Sequence, residues 1–457
     1  MNRRSFLYTS AFGGLALTAF PSMLASCKDG LAEDLRFEGK VIVIGAGAAG
    51  LYAAQILLNQ GADVIVLEAS NRIGGRIKNN STFSDFPIEL GAEEVHGEKS
   101  MLYDAAVASG AQFVDDESTD YYYFNGSLKS QAEATENTLF NTMLEAVDGI
   151  VDYTGGDTTA QAYGEISNVS DNVVHIFNAL VGNEHGTDNS RIGMFGLRTE
   201  EERWTSGDQN LPLRNTTMDE VIRFACADAL PIVTLEQIVQ TIEHHSNGVR
   251  VTTADGTVYS ADAIVCTVPI TQLKNNSIQF IPSLSAAKSA AIEKIGMDRG
   301  MKIILQFSER IWPSNMSAVY GRGLIPIFWA TSLGRSDEFI LTGFVHGSNA
   351  EALAAMGEQG ILNQALEELD VLFGEASDTY VQGLVYDWGN EPFIEGAYSY
   401  PTPDMGDAIE VLAQPVGNRL FFAGEASHTG GHTSTVHGAM ETGLRAALEV
   451  IQNTPRQ

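Results

Sequence analysis

Four apolar β-branched residues, Val41 to Ile44, run straight into three glycines spaced G-x-G-x-x-G at Gly45, Gly47 and Gly50. A helical periodicity then continues from Ala48 to about Gln60. Gly61 breaks it, and Asp63 leads into a second apolar run, Val64–Leu67, that stops at Glu68. The pattern predicts strand, turn, helix and strand in one short unit. Further along, Ile88–Ala92 reads as a strand closing on a turn and residues 98–115 as a helix. Tyr121–Phe124 reads as a strand ending at the turn signal Asn125-Gly126. Polar and apolar residues alternate with helical spacing over Thr138–Val151. Val249–Thr253 and Thr257–Tyr259 form a hairpin pattern around Asp255-Gly256, and Ala261–Pro269 is a buried strand. A helix over Ser285–Ile295 precedes strands at Lys302–Phe307, Gly343–Gly347 and Gly383–Tyr386, with a helix at Glu351–Phe373 between the last two. The chain closes with strand Leu420–Ala423, a glycine-rich loop and helix Gly438–Ile451, for which Ser434 is the expected N-cap.

The first unit carries a dinucleotide-binding pattern. Its glycines permit a tight turn, close approach of a pyrophosphate to the backbone, and close packing of helix on strand. The helix N-terminus adds free N–H groups and a positive partial charge. Glu68, about twenty residues on, is placed to accept hydrogen bonds from a ribose. Elements of this kind occur first, again mid-chain and at the very end. The expected architecture is therefore α/β: a discontinuous Rossmann-like domain from residues 41–115, 225–285 and 381–457, and an inserted α+β substrate-binding domain from 116–224 and 286–380.

Composition narrows the partners. The net charge of −31 argues against nucleic acid and favours cations, although a solubility surface explains it as well. Residues 28–40 are a polar linker. Before it, Arg3-Arg4-Ser5-Phe6-Leu7, an apolar stretch to Leu24 and Leu24-Ala25-Ser26-Cys27 read as a twin-arginine signal of lipoprotein type over residues 1–27. The expectation is export to the periplasmic side and a lipid anchor on Cys27; simple secretion with an unmodified Cys27 is the alternative. Cys226 and Cys266 make a poor disulfide framework, and Cys266 reads as a buried core thiol. His428, His432 and His437 fit no usual zinc spacing, so no metal is expected.

Arg72, Gly74, Gly75 and Arg76 spell R-x-G-G-R directly after the second strand, and Arg419–Ala447 contains F-F-A-G-E, S-T-V-H-G-A and E-T-G-L-R-A-A. Together these segments resemble the FAD-dependent amine oxidase family, the polyamine oxidase and histone demethylase branches above all. The resemblance brackets nearly the whole mature chain. It implies FAD held by Gly45, Gly47, Ala48, Ala49, Gly50, Glu68, Ala69, Arg72, Gly74, Gly75, Arg76, Gly91, Ala92, Val239, Trp388, Gly424, Glu425, Thr435 and Val436. It also implies a non-covalent flavin, because the cysteine that monoamine oxidases use for attachment is missing from the C-terminal loop.

The catalytic residues implied by resemblance are Lys302, Tyr398 and His96. In K-I-I-L-Q-F, Lys302 matches the family lysine that holds a water at flavin N5 and assists oxygen attack. Tyr398 matches an aromatic wall, and His96 a position able to hydrogen-bond a substrate nitrogen. Alone, Lys302 would read as a solvated edge charge, and Tyr398 and Trp388 as core aromatics. In E-L-G-A-E-E-V-H-G, Glu94 stands where the family often has tryptophan; Ser70 stands where it often has arginine. Glu93 and Glu94, if they face the cavity, would repel a carboxylate and welcome a second cationic group; an exposed acidic loop is the alternative. The implied reaction is amine oxidation, with hydride passing to the flavin and O2 consumed to give H2O2. An L-amino-acid oxidase or a desaturase on the same scaffold, and a non-catalytic flavoprotein, are the rival readings.

Overall fold

A computed structural model describes residues 36–115, 118–374 and 376–454. The signal and lipid-attachment expectations at residues 1–27 lie outside them. In chain order the elements that build the site are β1 (Lys40–Ile44), α1 (Ala48–Asn59), β2 (Asp63–Leu67), β3 (Glu94–His96) and β4 (Thr119–Phe124). They continue with α2 (Met218–Ala225), β5 (Val233–Thr234), β6 (Ala263–Cys266), β7 (Gly300–Phe307), β8 (Met316–Tyr320) and β9 (Ile327–Ala330). The last four are β10 (Phe339–His346), β11 (Tyr380–Asp387), β12 (Leu420–Phe422) and α3 (Val436–Asn453).

Two sheets organise the molecule. The first is parallel, in the order β12-β6-β1-β2-β5. Its central strand is buried on both faces, which explains the unbroken apolar run Val41–Ile44. The second has seven strands, β11-β7-β10-β9-β8-β4 and then Ser127–Ser130 at the edge. Lys302 lies near the start of β7, which is bonded antiparallel to β10 on one side and β11 on the other.

The glycine unit explains how the first sheet receives α1. Gly45 has φ +100°, and a Cβ on Gly50 would stand 2.0 Å from the Gly45 carbonyl oxygen. Only glycines let the helix start this close to the strand. The C-terminal helix α3 packs on α1, where a Cβ on Gly443 would meet the Ala49 carbonyl at 2.3 Å. Among the described residues, the last helix is therefore fixed against the first.

Segment membership differs from the sequence pattern in three places. β11, which begins at the edge of the 381–457 segment, pairs with β7 in the seven-stranded sheet. Helix Ala286–Lys294 packs its Ala291 and Ile292 into the core of the nucleotide-side sheet, and α2 packs Met218, Val221 and Ile222 against the cluster around β1. Strand pairing and apolar contact decide these placements, and neither is visible in one segment alone. The helix expected over Glu351–Phe373 is two, Gly347–Ala354 and Gly357–Phe373, broken at Gly357 with φ +71°. Cys226 and Cys266 are free buried thiols in separate apolar clusters, so no disulfide joins them.

Candidate active site

A single cavity of about 1710 Å³ runs from the glycine unit into the seven-stranded sheet. Ligand pockets commonly measure about 300–1,000 Å³, so this one has room for a dinucleotide and a second molecule. Every residue assigned to a site from the sequence lines it except Gly50 and Cys27, the latter outside the described residues. Gly50 belongs instead to packing, by the close approach given above.

At the nucleotide end, Gly47 caps α1 with no side-chain hydrogen bond, and the first turn has no acid. Gly47 also bridges Gly74, and a Cβ on Gly47 would meet nothing nearer than the Gly74 oxygen at 4.0 Å. The N-terminal N–H groups thus face an open cradle, the arrangement that suits a diphosphate. Glu68 is tied on both oxygens: Ala46 N–H donates to Oε2 at 2.7 Å, and Ser70 donates to Oε1 from N–H at 2.9 Å and from its hydroxyl at 2.8 Å. Oε2, with a single donor, keeps lone-pair capacity for a ribose. Ser70 serves Glu68 rather than a phosphate.

The two arginines of R-x-G-G-R hold the loop together. Arg72 donates to the carbonyls of Ile73, Gly75 and Ile77 and pairs with Glu391 at 2.8 Å. Arg76 pairs with Glu425 at 2.7 Å and donates to the Ala397 carbonyl at 3.0 Å. Glu425 also accepts from the Ser399 hydroxyl at 2.5 Å and Ser434 N–H at 2.9 Å. This joins the first motif to the last. Trp388 donates its indole N–H to the Leu90 carbonyl at 2.8 Å, and the expected N-cap shifts by one residue. Thr435 caps α3 by accepting from Gly438 N–H at 2.9 Å, because Ser434, at φ +63°, turns its hydroxyl to the Ser399 carbonyl.

The other end of the cavity is ionic. Lys302 is 3% exposed and donates to Glu93 at 2.7 Å and to the Glu89 carbonyl at 3.0 Å. Arg335 reaches the other oxygen of Glu93 at 3.2 Å and donates to the carbonyls of Leu213 and Thr331. Sequence reasoning missed Arg335 altogether. Glu93 works against burial, and the Lys302 and Arg335 charges hold its carboxyl below the ordinary range. It faces the cavity, as expected, but its charge is claimed by two cations and is not left for a substrate. Glu94 differs. Burial, then the Glu93 and Glu184 carboxylates, push it up to about 8.

Aromatic rings continue the wall. The Lys302 ammonium lies 5.2 Å from the Trp329 ring. Trp329 meets Phe344 at 5.0 Å, Phe344 meets His346 at 4.3 Å, and His346 meets Tyr398 at 5.1 Å. Burial drives His346 down to about 3, so it is a neutral member of this run. The Tyr398 hydroxyl donates to the Glu184 carbonyl at 2.9 Å, and His96 Nδ1 meets Asn210 Oδ1 at 2.8 Å. Trp329, Phe344 and His346 had no local signal beyond strand alternation.

Behind the cavity, His428 and His432 both contact Glu441, at 2.6 and 2.8 Å. Backbone N–H groups of Gly430 and His432 point at His428 Nδ1, and that of Thr205 at His432 Nε2. These donors place the ring protons on the nitrogens that face Glu441. The geometry is a carboxylate accepting two N–H bonds, and a metal ion would need those same nitrogens unprotonated.

Comparison with known proteins agrees with this layout. A family model described as flavin containing amine oxidoreductase matches residues 48–451. Polyamine oxidase 3 of Oryza sativa subsp. japonica is 30% identical over 440 residues, covering 89% of this chain and 88% of its own length. Lysine-specific histone demethylase 2 of Homo sapiens is 29% identical over 447 residues, covering 90% of this chain and 53% of its own. The chain spans about half the length of such demethylases. Among solved structures, cyclohexylamine oxidase from Brevibacterium oxydans IH-35A has a TM-score of 0.78 at 22% identity, covering 92% of this chain and 100% of its own. Putrescine oxidase, wild type bound to putrescine, has a TM-score of 0.78 at 18% identity, covering 91% of this chain and 99% of its own. At these identities the structural likeness is one of fold.

Proposed function

The chain belongs to the flavin-containing amine oxidoreductase family, and from that premise we propose that it oxidises amines bearing a second positive charge. The carrying observation is that Glu94, a buried carboxyl that no ion pair joins to a cation among the described residues, shares one cavity with the dinucleotide cradle and Lys302. The cofactor is FAD. The open cradle at Gly47, the Glu68 carboxylate and the Arg76–Glu425 pair support holding its diphosphate, ribose and ribityl parts; Val239 lines the cavity where the adenine is expected.

When bound there, FAD would supply a hydride acceptor and a route for the two electrons to O2, with hydrogen peroxide as the product. The substrate must arrive with a neutral reacting nitrogen, and a cavity that desolvates an amine favours that form. Loss of a hydride from the adjacent carbon leaves an iminium, which water converts to a carbonyl compound and ammonium or a smaller amine. The aromatic run from Trp329 to Tyr398 guides the amine, and its ring faces suit a cation in transit. Lys302 holds water and a positive charge beside the reacting end, and Glu94 receives the second ammonium.

The amino-acid oxidase reading would need a cation available for a carboxylate. Arg335, which lines the cavity, is engaged by Glu93 and two backbone carbonyls. Anaerobic flavin bleaching against monoamines, polyamines and L-amino acids tests the choice. Bleaching by amino acids in preference to amines would replace the proposal.

The Glu94 charge gives a pH signature. Below about 8 its carboxyl is protonated in the free protein, and an arriving ammonium favours the ionised form. Dication binding therefore releases a proton, and affinity rises with pH toward 8. Glu94→Gln is expected to abolish that rise and to weaken diamines by about tenfold, the cost of losing a hydrogen bond to a charged group. Monoamine binding should change much less. Equal losses for both classes would remove Glu94 from recognition.

The twin-arginine start and Leu24–Cys27 support export and lipid attachment at Cys27. Labelling with a palmitate analogue should mark the wild type and not Cys27→Ser; equal labelling would end that reading.

A further inference from the structure

The row of residues that floors the cavity can be followed strand by strand. Lys302 on β7 pairs with Phe344 on β10, Phe344 with Ile327 on β9, Ile327 with Tyr320 on β8, and Tyr320 with Tyr122 on β4. Lys302, Phe344, Ile327 and Tyr320 all line the cavity. Asp120 is two residues before Tyr122 in the same strand, so both present to the same face, and Asp120 lines the cavity as well.

Asp120, the second residue of β4, is an unusual residue for a buried strand position. It is 2% exposed. Burial pushes its carboxyl up to about 7 in spite of the Ser317 hydroxyl and the Ala318 backbone N–H beside it. Oδ1 accepts from the Ser317 hydroxyl at 2.6 Å, while Oδ2 has no hydrogen bond of good geometry. The buried hydroxyl of the neighbouring Tyr122 is likewise unpartnered, and the Tyr122 ring stacks on that of Tyr320 at 4.9 Å. Buried polar atoms are almost always paired, so an orphaned carboxylate oxygen beside an orphaned hydroxyl marks a place where a polar group belongs. An ammonium, with three N–H donors and a positive charge, satisfies the carboxylate best. The Tyr320 phenol feels three carboxylates, Asp120, Glu184 and Glu94. Glu94 in turn feels Glu93 and Glu184 as well as Lys302 and Arg335. These acids and the lysine all line the one cavity.

We infer that Asp120, beside Tyr320 and Glu184, forms a far cation subsite that holds the terminal ammonium of a long linear polyamine whose other end reacts beside Lys302. This rests on the amine-oxidase reading above and adds a length to it. From β7 to β4 there are four strand steps, and at about 4.8 Å each they cover roughly 19 Å. Side chains reach into that run from both ends, which leaves roughly 10–15 Å between the reacting nitrogen and the far one. An extended chain of single bonds about 1.5 Å long advances about 1.25 Å per bond, so the span takes about eight to twelve bonds. That exceeds 1,4-diaminobutane and matches linear tri- and tetraamines, whose inner ammonium would pass Glu94.

The test uses flavin-loaded full-length protein and reads anaerobic flavin reduction, which separates binding from the reduction rate. The first arm needs no variant. A series of α,ω-diaminoalkanes of increasing length, with spermidine and spermine, is compared with monoamines of equal chain length. The advantage of diamine over monoamine should grow tenfold or more once the chain reaches the span above; an advantage that is constant, or greatest for 1,4-diaminobutane, overturns the far subsite. The second arm is Asp120→Asn. It should weaken spermine about tenfold or more and leave 1,4-diaminobutane and the limiting reduction rate within about twofold. Spermine affinity unchanged, or all amines weakened alike, overturns the proposal while the amine-oxidase reading stands. Flavin reduction by amino acids in place of amines would overturn both.

Discussion

Lys302→Met is expected to slow reoxidation of the reduced flavin by oxygen about a hundredfold, the usual scale for losing one preorganised charge or donor at a reacting centre. Reduction by amine should change by a few-fold at most. The ammonium is buried, donates to the Glu93 carboxylate and the Glu89 carbonyl, and sits under the Trp329 ring, so its position is fixed before any reaction begins. A positive charge fixed in a cavity of low dielectric is worth far more to a developing superoxide than one in water. Removing it also alters Glu93, which would keep only Arg335. Breaking a buried ion pair commonly costs about 3–5 kcal/mol, so Lys302→Met is paired with Lys302→Met/Glu93→Gln to separate stability from chemistry. Stopped-flow mixing of photoreduced protein with oxygen is the measurement. Reoxidation at the wild-type rate, with flavin still bound, would take Lys302 out of the oxidative half-reaction.

The second large effect divides one motif into two functions. Gly47→Ala and Gly50→Ala change adjacent members of the same G-x-G-x-x-G, yet they should fail differently. A Cβ on Gly47 meets no protein atom closer than 4.0 Å, and the residue has φ −79°, which alanine adopts freely. The methyl would stand instead in the cradle where the diphosphate lies. Gly47→Ala should fold with an apoprotein melting temperature close to wild type and bind FAD at least tenfold more weakly. Gly50→Ala would put its Cβ 2.0 Å from the Gly45 carbonyl oxygen and 3.0 Å from the Thr267 hydroxyl. That demands a shift of backbone at the strand–helix junction, and it should lower apoprotein stability by 1–3 kcal/mol or more, about the usual cost of overpacking. Thermal melts of both apoproteins beside a fluorescence titration with FAD decide the matter. A destabilised Gly47→Ala with normal FAD affinity would reverse the assignment.

The difference between these glycines shows the limit of motif reading. The spacing selects three positions where a side chain is unwelcome, but it does not say whether backbone or ligand is what the side chain would strike. The same holds for the acidic pair. Glu93 and Glu94 are identical in the chain and adjacent, and the strand pattern alone assigns them one role. In the folded protein Glu93 pairs with Lys302 and Arg335, whose positions lie more than two hundred residues away, while Glu94 is buried without such a pair and is raised by burial and by the charges of Glu93 and Glu184. The aromatic wall was half legible: Trp388 and Tyr398 stood in family-like segments, whereas Trp329, Phe344 and His346 looked like any alternating strand.

What the sequence determined by itself is what short-range sterics and periodicity determine: the strand–turn–helix around Gly45–Gly50, the acid at Glu68, the R-x-G-G-R loop, and the C-terminal strand and helix; the family and its cofactor were implied by the resemblance that these segments carry. Each of these works through contacts within a few residues, so each leaves a local signature. Tertiary structure alone decided which charges are neutralised, which carboxyl is raised, and how far Asp120 stands from Lys302. Those properties come from strand pairing across the seven-stranded sheet and from the low dielectric that forms only once the sheets close over the cavity. An aspartate opening a strand or an arginine in a loop reads the same on a surface as in a site, until the fold removes the water around it.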